Sequence, residues 1–419
     1  MEDKRREEFQ RLLASAPRRR MTRRDLLRRM GVGAGALSMS AWLAACGIEG
    51  ESGDGGSGGG GNGEEDTLTT TEEQGELQFA NWPLYIDRAK GRRPTIDDFE
   101  KDTGIKVTYK EVIDANESFF GTINEPLSSG QATGWDLIVV TDWLIAKMAR
   151  LGYLEELDHS LLQNFEAHAG QIYKDPIYDP GNKHSVPWQS GVTGIGYNPE
   201  LTGREITSVN DLFDPEFEGQ VGMFTEMRDT MNMTLLGMGI DPAEATNDDA
   251  EAAQKKLLEQ RDAGIVRQYY GNSYADAFAR GDVALTMAWS GDVFQLQFDD
   301  PNLQFVVPNE GAILWVDNMA IPQEAAAPID AIKFMDYVYQ PDIAAQIVGW
   351  VNYICPVPEA QEILASGKPP YDARYYKQVA NSPLVFPTPE MENNLHHYKD
   401  LSEEDEMVWN DLFNQVVQG

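Results

Sequence analysis

Cysteine is nearly missing from this chain: Cys46 and Cys355 are the only two in 419 residues. A disulfide-rich scaffold is therefore excluded. Basic residues are scarce as well, 34 Lys and Arg against 68 Asp and Glu, which gives a formal net charge of −34. Such acidity excludes a protein whose main task is to hold nucleic acid, because phosphates are repelled. The five histidines include none in a His-Glu-x-x-His setting. The chain has no Walker-type phosphate loop and no calcium-loop run of spaced aspartates, and its one Gly-x-Ser-x-Gly pattern, Gly55 to Gly59, lies in a glycine-rich run rather than at a strand-to-helix elbow. Signs of catalysis or of a cofactor are thin. What is present is 42% hydrophobic residues and nine tryptophans, in a chain long enough for two core-forming lobes.

The charge is unevenly spread. Eleven of the 34 basic residues and five of the 68 acids precede Cys46, which leaves 23 basic and 63 acidic residues from Cys46 onward. The basic block is followed by Met30 to Ala45, sixteen uncharged and mostly apolar residues. That run is short for a membrane span of about 20 residues and fits the apolar core of an export signal. Thr22-Arg23-Arg24-Asp25-Leu26-Leu27-Arg28 resembles a twin-arginine export motif, and Leu43-Ala44-Ala45-Cys46 resembles a lipobox. Residues 1–45 are thus expected to be a removable signal, with Cys46 lipidated as the mature N-terminus. Cys355 is then expected to be a buried thiol. Gly47 to Gly63 holds ten glycines in seventeen residues. Residues 46–75 are therefore expected to form a flexible tether with a reach of roughly 30 Å.

Regular structure is expected from Glu76. Leu77 to Trp82 reads as a strand, Thr95 to Thr103 as a helix stopped by Gly104, and Ile105 to Tyr109 as a strand. Asp136 to Val140 is a strand buried on both faces, followed by a helix that Thr141 or Asp142 caps. A second cycle starts at Gly194, with strands at Ile195 to Tyr197, Gln220 to Phe224 and Asp282 to Trp289. Strands alternating with helices give an α/β fold with largely parallel sheets.

Aromatics and carboxylates recur together at strand ends: Trp82 with Tyr85; Thr141-Asp142-Trp143; Glu226 with Asp229; Trp289 with Asp292; Trp315 with Asp317. Ligands of open α/β sheets sit beyond the carboxyl ends of strands. Aromatic faces attract cations and carboxylates accept charge-assisted hydrogen bonds from ammonium groups. The set suits a flexible organic dication. Taken singly, each has a plainer reading, a core Trp or a solvated first helical turn. Asp317, inside an otherwise apolar run, is the hardest to read that way, since a buried carboxylate needs partners.

At these residues the chain resembles the solute-binding lipoproteins of polyamine ABC importers, the spermidine/putrescine-binding type. The resemblance runs through Asn81-Trp82-x-x-Tyr85, Asp136 to Val140, Val186-Pro187-Trp188, Gly194 to Asn198 and Ala288 to Val293. It ends on Trp315-x-Asp317-x-x-Ala320-Ile321-Pro322 and Gln340 to Ala344. It implies a two-lobed clamshell of the type II periplasmic-binding fold, with lobe 1 over 76–187 and part of 318–419, and lobe 2 over 188–317 with part of the C-terminal segment. It implies a monomer without cofactor that closes on a polyamine and docks on permease subunits, outside the cytoplasm on a lipid anchor. By position, Trp82, Tyr85, Trp143, Trp289 and Trp315 match the aromatic walls. Glu226, Asp229, Asp292 and Asp317 match the ammonium-binding acids, Thr141 a hydroxyl ligand and Tyr353 a tyrosine near the cleft. Two departures stand out. Pro83 and Leu84 replace a hydroxyl residue and an acid, with Asp87 an open candidate for the missing contact, and no glutamine is matched around Tyr398 and Lys399. Another small cationic metabolite is the alternative ligand. A rival reading makes Glu226 and Asp229 the paired acids of an exported hydrolase, which explains neither the Trp–Asp sets nor the tether.

Overall fold

The computed structural model describes residues 72–418 apart from position 114. The signal, Cys46 and most of the tether lie outside the described residues. Among the described residues no helix is long and apolar enough to cross a membrane.

The strands are β1 (Glu76–Asn81), β2 (Lys106–Glu111), β3 (Leu137–Thr141), β4 (Ser185–Tyr197), β5 (Val221–Phe224), β6 (Val266–Tyr270), β7 (Leu285–Trp289), β8 (Gln304–Val306), β9 (Ala312–Ala320) and β10 (Leu395–His396). They form one path in the order β2-β1-β3-β9-β4-β7-β5-β6, with β8 beside β4 and β10 beside β9. The path reads as two copies of one arrangement. In each, a central strand (β1 or β5) has a parallel neighbour on either side, and a long strand closes the edge antiparallel. The closing strand of the first lobe, β9, arrives from the second; the closing strand of the second, β4, arrives from the first. These two strands pair antiparallel from Ser185↔Ala320 to Thr193↔Ile313, with a register shift between Pro187 and Gln189.

Sequence pattern accounts for each lobe. In β1 and β3 alternate residues enter two different cores. Phe79, Leu137 and Val139 pack with the helix Pro328–Tyr337, while Ala80, Ile138 and Val140 pack with Phe119, Ile123 and Leu144. Both faces are covered, as parallel sheets require. The helix Pro94–Thr103 starts with proline in its first turn and ends at Gly104, whose φ of 83° lets its N–H reach the carbonyl of Glu100. The second lobe's core gathers Val221, Met223, Leu285, Met287 and the C-terminal helix Glu403–Val417 through Trp409 and Phe413. Cys355 is a buried free thiol, its pKa pushed up to about 12 by burial. At the start of the first lobe, the N–H groups of Gln74 and Gly75 donate to Asp330.

All thirteen residues of β4 are buried, including glycines that read locally as strand breakers. Gly191 shows why they are there. It lies opposite Trp315, and a Cβ at Gly191 would fall 2.3 Å from the indole. Glycine therefore lets the Trp315 ring lie flat over the backbone of the crossing strand. Gly191→Ala is expected to destabilise by about 1–3 kcal/mol through overpacking. Gly121→Ala, at an exposed helical position with open space around its Cβ, is expected to stabilise by about 0.5–1 kcal/mol. Thermal unfolding of both variants checks this; a Gly191→Ala protein as stable as the parent contradicts the packing.

Candidate functional site

Asp317 lies on β9 where that strand first gains β3 as a neighbour, opposite Thr141 on one side and Gln189 on the other. It is only 7% exposed. Its Oδ1 accepts from the Thr141 hydroxyl at 2.7 Å and its Oδ2 from the Tyr85 hydroxyl at 2.8 Å. Thr141 is fixed in turn by Asn116, which accepts from its N–H at 3.1 Å and donates to its Oγ1 at 2.8 Å. Thr141 occupies the N-cap position of the helix Asp142–Arg150 without capping it through its side chain. Its hydroxyl is committed to Asp317, and Asp142 bonds the N–H of Trp143 instead.

The same arrangement recurs twice in the second lobe. Asp229 accepts from the hydroxyls of Thr193 at 2.6 Å and Tyr398 at 2.7 Å. Asp292 accepts from the hydroxyls of Tyr274 and Tyr353, each at 3.0 Å. Tyr353 packs in the first lobe's core and Tyr274 in the second's, so Asp292 ties the lobes together. In all three cases these hydrogen bonds come from neutral hydroxyls, which orient a carboxylate without cancelling its charge.

Aromatic rings line the same region. The Tyr353 ring stands edge-on to Trp315, with centroids 5.2 Å apart, and to Tyr85 at 5.9 Å. Trp289, at the end of β7, packs on Phe224 at 4.6 Å and on Tyr274 at 5.5 Å. Trp82 donates its indole N–H to the carbonyl of Val139, midway along β3. Trp143 is placed differently. Its ring is covered by the Arg228 guanidinium, 4.1 Å from the ring centroid. Tyr85, Thr141, Asp317, Trp315, Tyr353 and Asp292 thus form one connected set, and Tyr274 links it to Trp289 and through Trp289 to Asp229.

Glu226 is the N-cap residue of the helix Met227–Gly237, with extended backbone, and Asp229 lies in that helix's first turn, close enough for the two acids to interact. Asp87 lies away from the site in the first lobe, accepting from the Thr95 N–H and from Gln346 at the start of the helix Pro94–Thr103. The sequence reading also missed Thr193, Tyr274, Tyr398, Asn116 and Arg228. Tyr398 had a signal: it falls where a polar partner near the C-terminus was sought and no glutamine was found.

Residues 95–374 match the family of bacterial extracellular solute-binding proteins. The chain belongs to that family. It is similar to the spermidine/putrescine-binding periplasmic protein 1 of Haemophilus influenzae, 31% identical over 311 residues, 74% of this chain and 81% of the relative. It is also similar to a putrescine-binding periplasmic protein of Escherichia coli K12, 30% identical over 303 residues, 68% of this chain and 79% of the relative. Among solved structures, the spermidine/putrescine ABC transporter substrate-binding protein of Streptococcus pneumoniae superposes with a TM-score of 0.68 at 26% identity, covering 81% of this chain and 98% of that one. The expected two-lobed α/β architecture is the fold of these solute-binding proteins.

Several carboxyls of this solute-binding protein are shifted by their surroundings. Burial raises the pKa of Glu226 to about 7, and the nearby charges of Glu117 and Asp229 push the same way. Burial likewise raises Asp229, against the pull of hydrogen bonds from Thr193, Tyr398 and Trp289. Asp142 is raised to about 8 by burial, opposed by the N–H groups of Trp143 and Val316. A positive charge placed beside such a group favours its ionised form. A folded-state pKa near 7 means that Glu226 is largely neutral at pH 6 and largely ionised at pH 8. Affinity for an organic cation that Glu226 faces is therefore expected to rise across that interval. Calorimetry at pH 6, 7 and 8 checks this, with Glu226→Gln expected to make the rise shallower while Asp142, raised to about 8, still contributes. An equally steep rise in the variant removes Glu226 from the site.

Proposed function

We propose that this chain captures di- and polyamines of the putrescine/spermidine class outside the cytoplasm and delivers them to the permease of an ABC importer. The observation that carries the proposal is the set of carboxylates, Asp317, Asp229 and Asp292, each held by two neutral hydroxyls among aromatic rings at the junction of the lobes. An extended diammonium satisfies such a site at both ends. Each charge-assisted hydrogen bond contributes about 1.5–3 kcal/mol, and each ammonium over an aromatic face about 0.5–2 kcal/mol. The names of the similar proteins support the same ligand class.

The export features support placement on the outer side of the membrane through a lipid on Cys46, after passage by the twin-arginine route. The protein acts there as a monomer and without chemistry of its own. Asp292, reached by Tyr353 of one lobe and Tyr274 of the other, supports closure of the lobes upon ligand. Ion pairs reach across as well, from Lys147 to Glu406 at 3.1 Å and from Arg150 to Asp400 at 2.9 Å. Closure is a shift toward the form in which these contacts and the ligand's are made together.

Asp317→Asn keeps the shape of the site and removes one charge. It is expected to raise the Kd for putrescine or spermidine by about 10- to 100-fold, the equivalent of one charge-assisted bond. Glu403→Gln, on an exposed helix turn remote from these contacts, is expected to change it less than twofold. Isothermal titration calorimetry that finds equal affinities in the two variants excludes Asp317 as an ammonium ligand.

A further inference from the structure

The loop that leaves β1 and carries Tyr85 runs Trp82-Pro83-Leu84-Tyr85-Ile86-Asp87. Leu84, Tyr85 and Ile86 are buried although no helix or strand includes them. Leu84 has a φ of 59°, a left-handed conformation that a leucine keeps only when its surroundings fix it. Two of the holds are on Tyr85 itself. Its carbonyl accepts from the Trp188 indole N–H at 3.1 Å, and its hydroxyl donates to Asp317 at 2.8 Å. The third hold is Asp87. Its Oδ2 accepts from the Thr95 N–H at 3.2 Å and from Gln346 Nε2 at 3.2 Å, and Gln346 also donates to Thr95 Oγ1 at 3.0 Å. Thr95 carries the first free N–H of the helix Pro94–Thr103, since Pro94 has none and Arg93 at the N-cap supplies no side-chain cap. Gln346 belongs to the helix Pro341–Val351. The carboxyl thus joins the loop to two helices of the first lobe.

This anchor leaves Tyr85 little slack. Two residues of chain, spanning at most about 7 Å, separate it from Asp87. Beyond Asp87 the chain turns back at once, with Ala89 and Arg92 exchanging backbone hydrogen bonds of 3.0 Å. The anchor also carries a cost. Asp87 is 4% exposed, and its Oδ1 is buried without a partner among the described residues. Burial pushes its pKa up to about 6 against the hydrogen bonds from Thr95. A hydrocarbon at this place would be free of that desolvation cost, so what the carboxyl supplies is position.

We propose that Asp87 is a positioning residue of the binding site: without touching a ligand, it fixes the loop so that the Tyr85 hydroxyl meets Asp317. This rests on the polyamine reading of the site above. Its test is a double-mutant cycle, read by titration calorimetry with putrescine and spermidine on the whole mature protein, with thermal melts to check folding. The members are the wild type, Asp87→Ala, Tyr85→Phe and the two combined, with Asp87→Asn as the conservative variant. Asp87→Ala is expected to weaken binding at least fivefold. Asp87→Asn, which keeps an oxygen for the Thr95 N–H, is expected to stay within twofold of the wild type. The combined variant is expected to stay within twofold of Tyr85→Phe, because the hydroxyl through which Asp87 acts is already gone. A folded Asp87→Ala protein with wild-type affinity overturns the proposal, and so does a loss of the same size in the Tyr85→Phe background. If Asp87→Ala does not fold, Gln346→Met, which removes the second donor to the same oxygen, takes its place in the cycle, and wild-type affinity there overturns the proposal equally. A wild type that binds neither amine overturns the polyamine reading, whereas wild-type binding with no effect at Asp87 overturns this inference alone.

Discussion

The structure depends on one carboxylate placed where ordinary packing would put a hydrocarbon. Asp317 lies within β9, a strand whose nine residues are all buried and which joins the two lobes. A carboxylate there carries a large desolvation cost unless it is hydrogen-bonded. Tyr85 and Thr141 provide bonds from two different strand ends of the first lobe. Both hydroxyls are neutral donors, so these two bonds orient the carboxyl without themselves neutralising it. Asn116 then fixes Thr141, Tyr353 stacks edge-on between Tyr85 and Trp315, and Gly191 gives up its Cβ so that Trp315 can lie over β4. The crossing strands β4 and β9 thus carry both the antiparallel seam and the Asp317–Trp315 pair.

Arg228 adds a constraint of the opposite sign. It brings positive charge to a region otherwise rich in Asp and Glu, and it engages the ring of Trp143 together with Glu406. The C-terminal segment is therefore built into the packing of the fold rather than an appendage. It pairs as β10 with β9, supplies Tyr398 to Asp229, and then enters the second lobe's core through Trp409 and Phe413.

Much of the fold was legible because parallel strands buried on both faces leave short apolar runs, as at Leu137 to Val140, and because glycine marks helix ends, as at Gly104. The length of β4 was not. Only Ile195 to Tyr197 read as strand, since Pro187, Gly191 and Gly194 look like breakers when their long-range partners are unknown. Carboxylates such as Asp317 were legible because a charge in an apolar run demands an explanation. Their hydroxyl partners were not, because Thr193 and Tyr398 are distant in sequence from Asp229 and carry no local pattern. The cover over Trp143 was hidden for the same reason: nothing near position 143 announces an arginine 85 positions later.

The net charge of −34 says little by itself about this site. A general negative field draws cations weakly and is screened by salt, whereas the held carboxylates select them. A thermal-shift panel of amines, neutral amino acids and sugars separates the two ideas most directly. The account predicts that diamines or polyamines alone stabilise the protein, by about 2.7 kcal/mol at 100 times their Kd. Stabilisation by a sugar or a neutral amino acid, with no response to any amine, would contradict it.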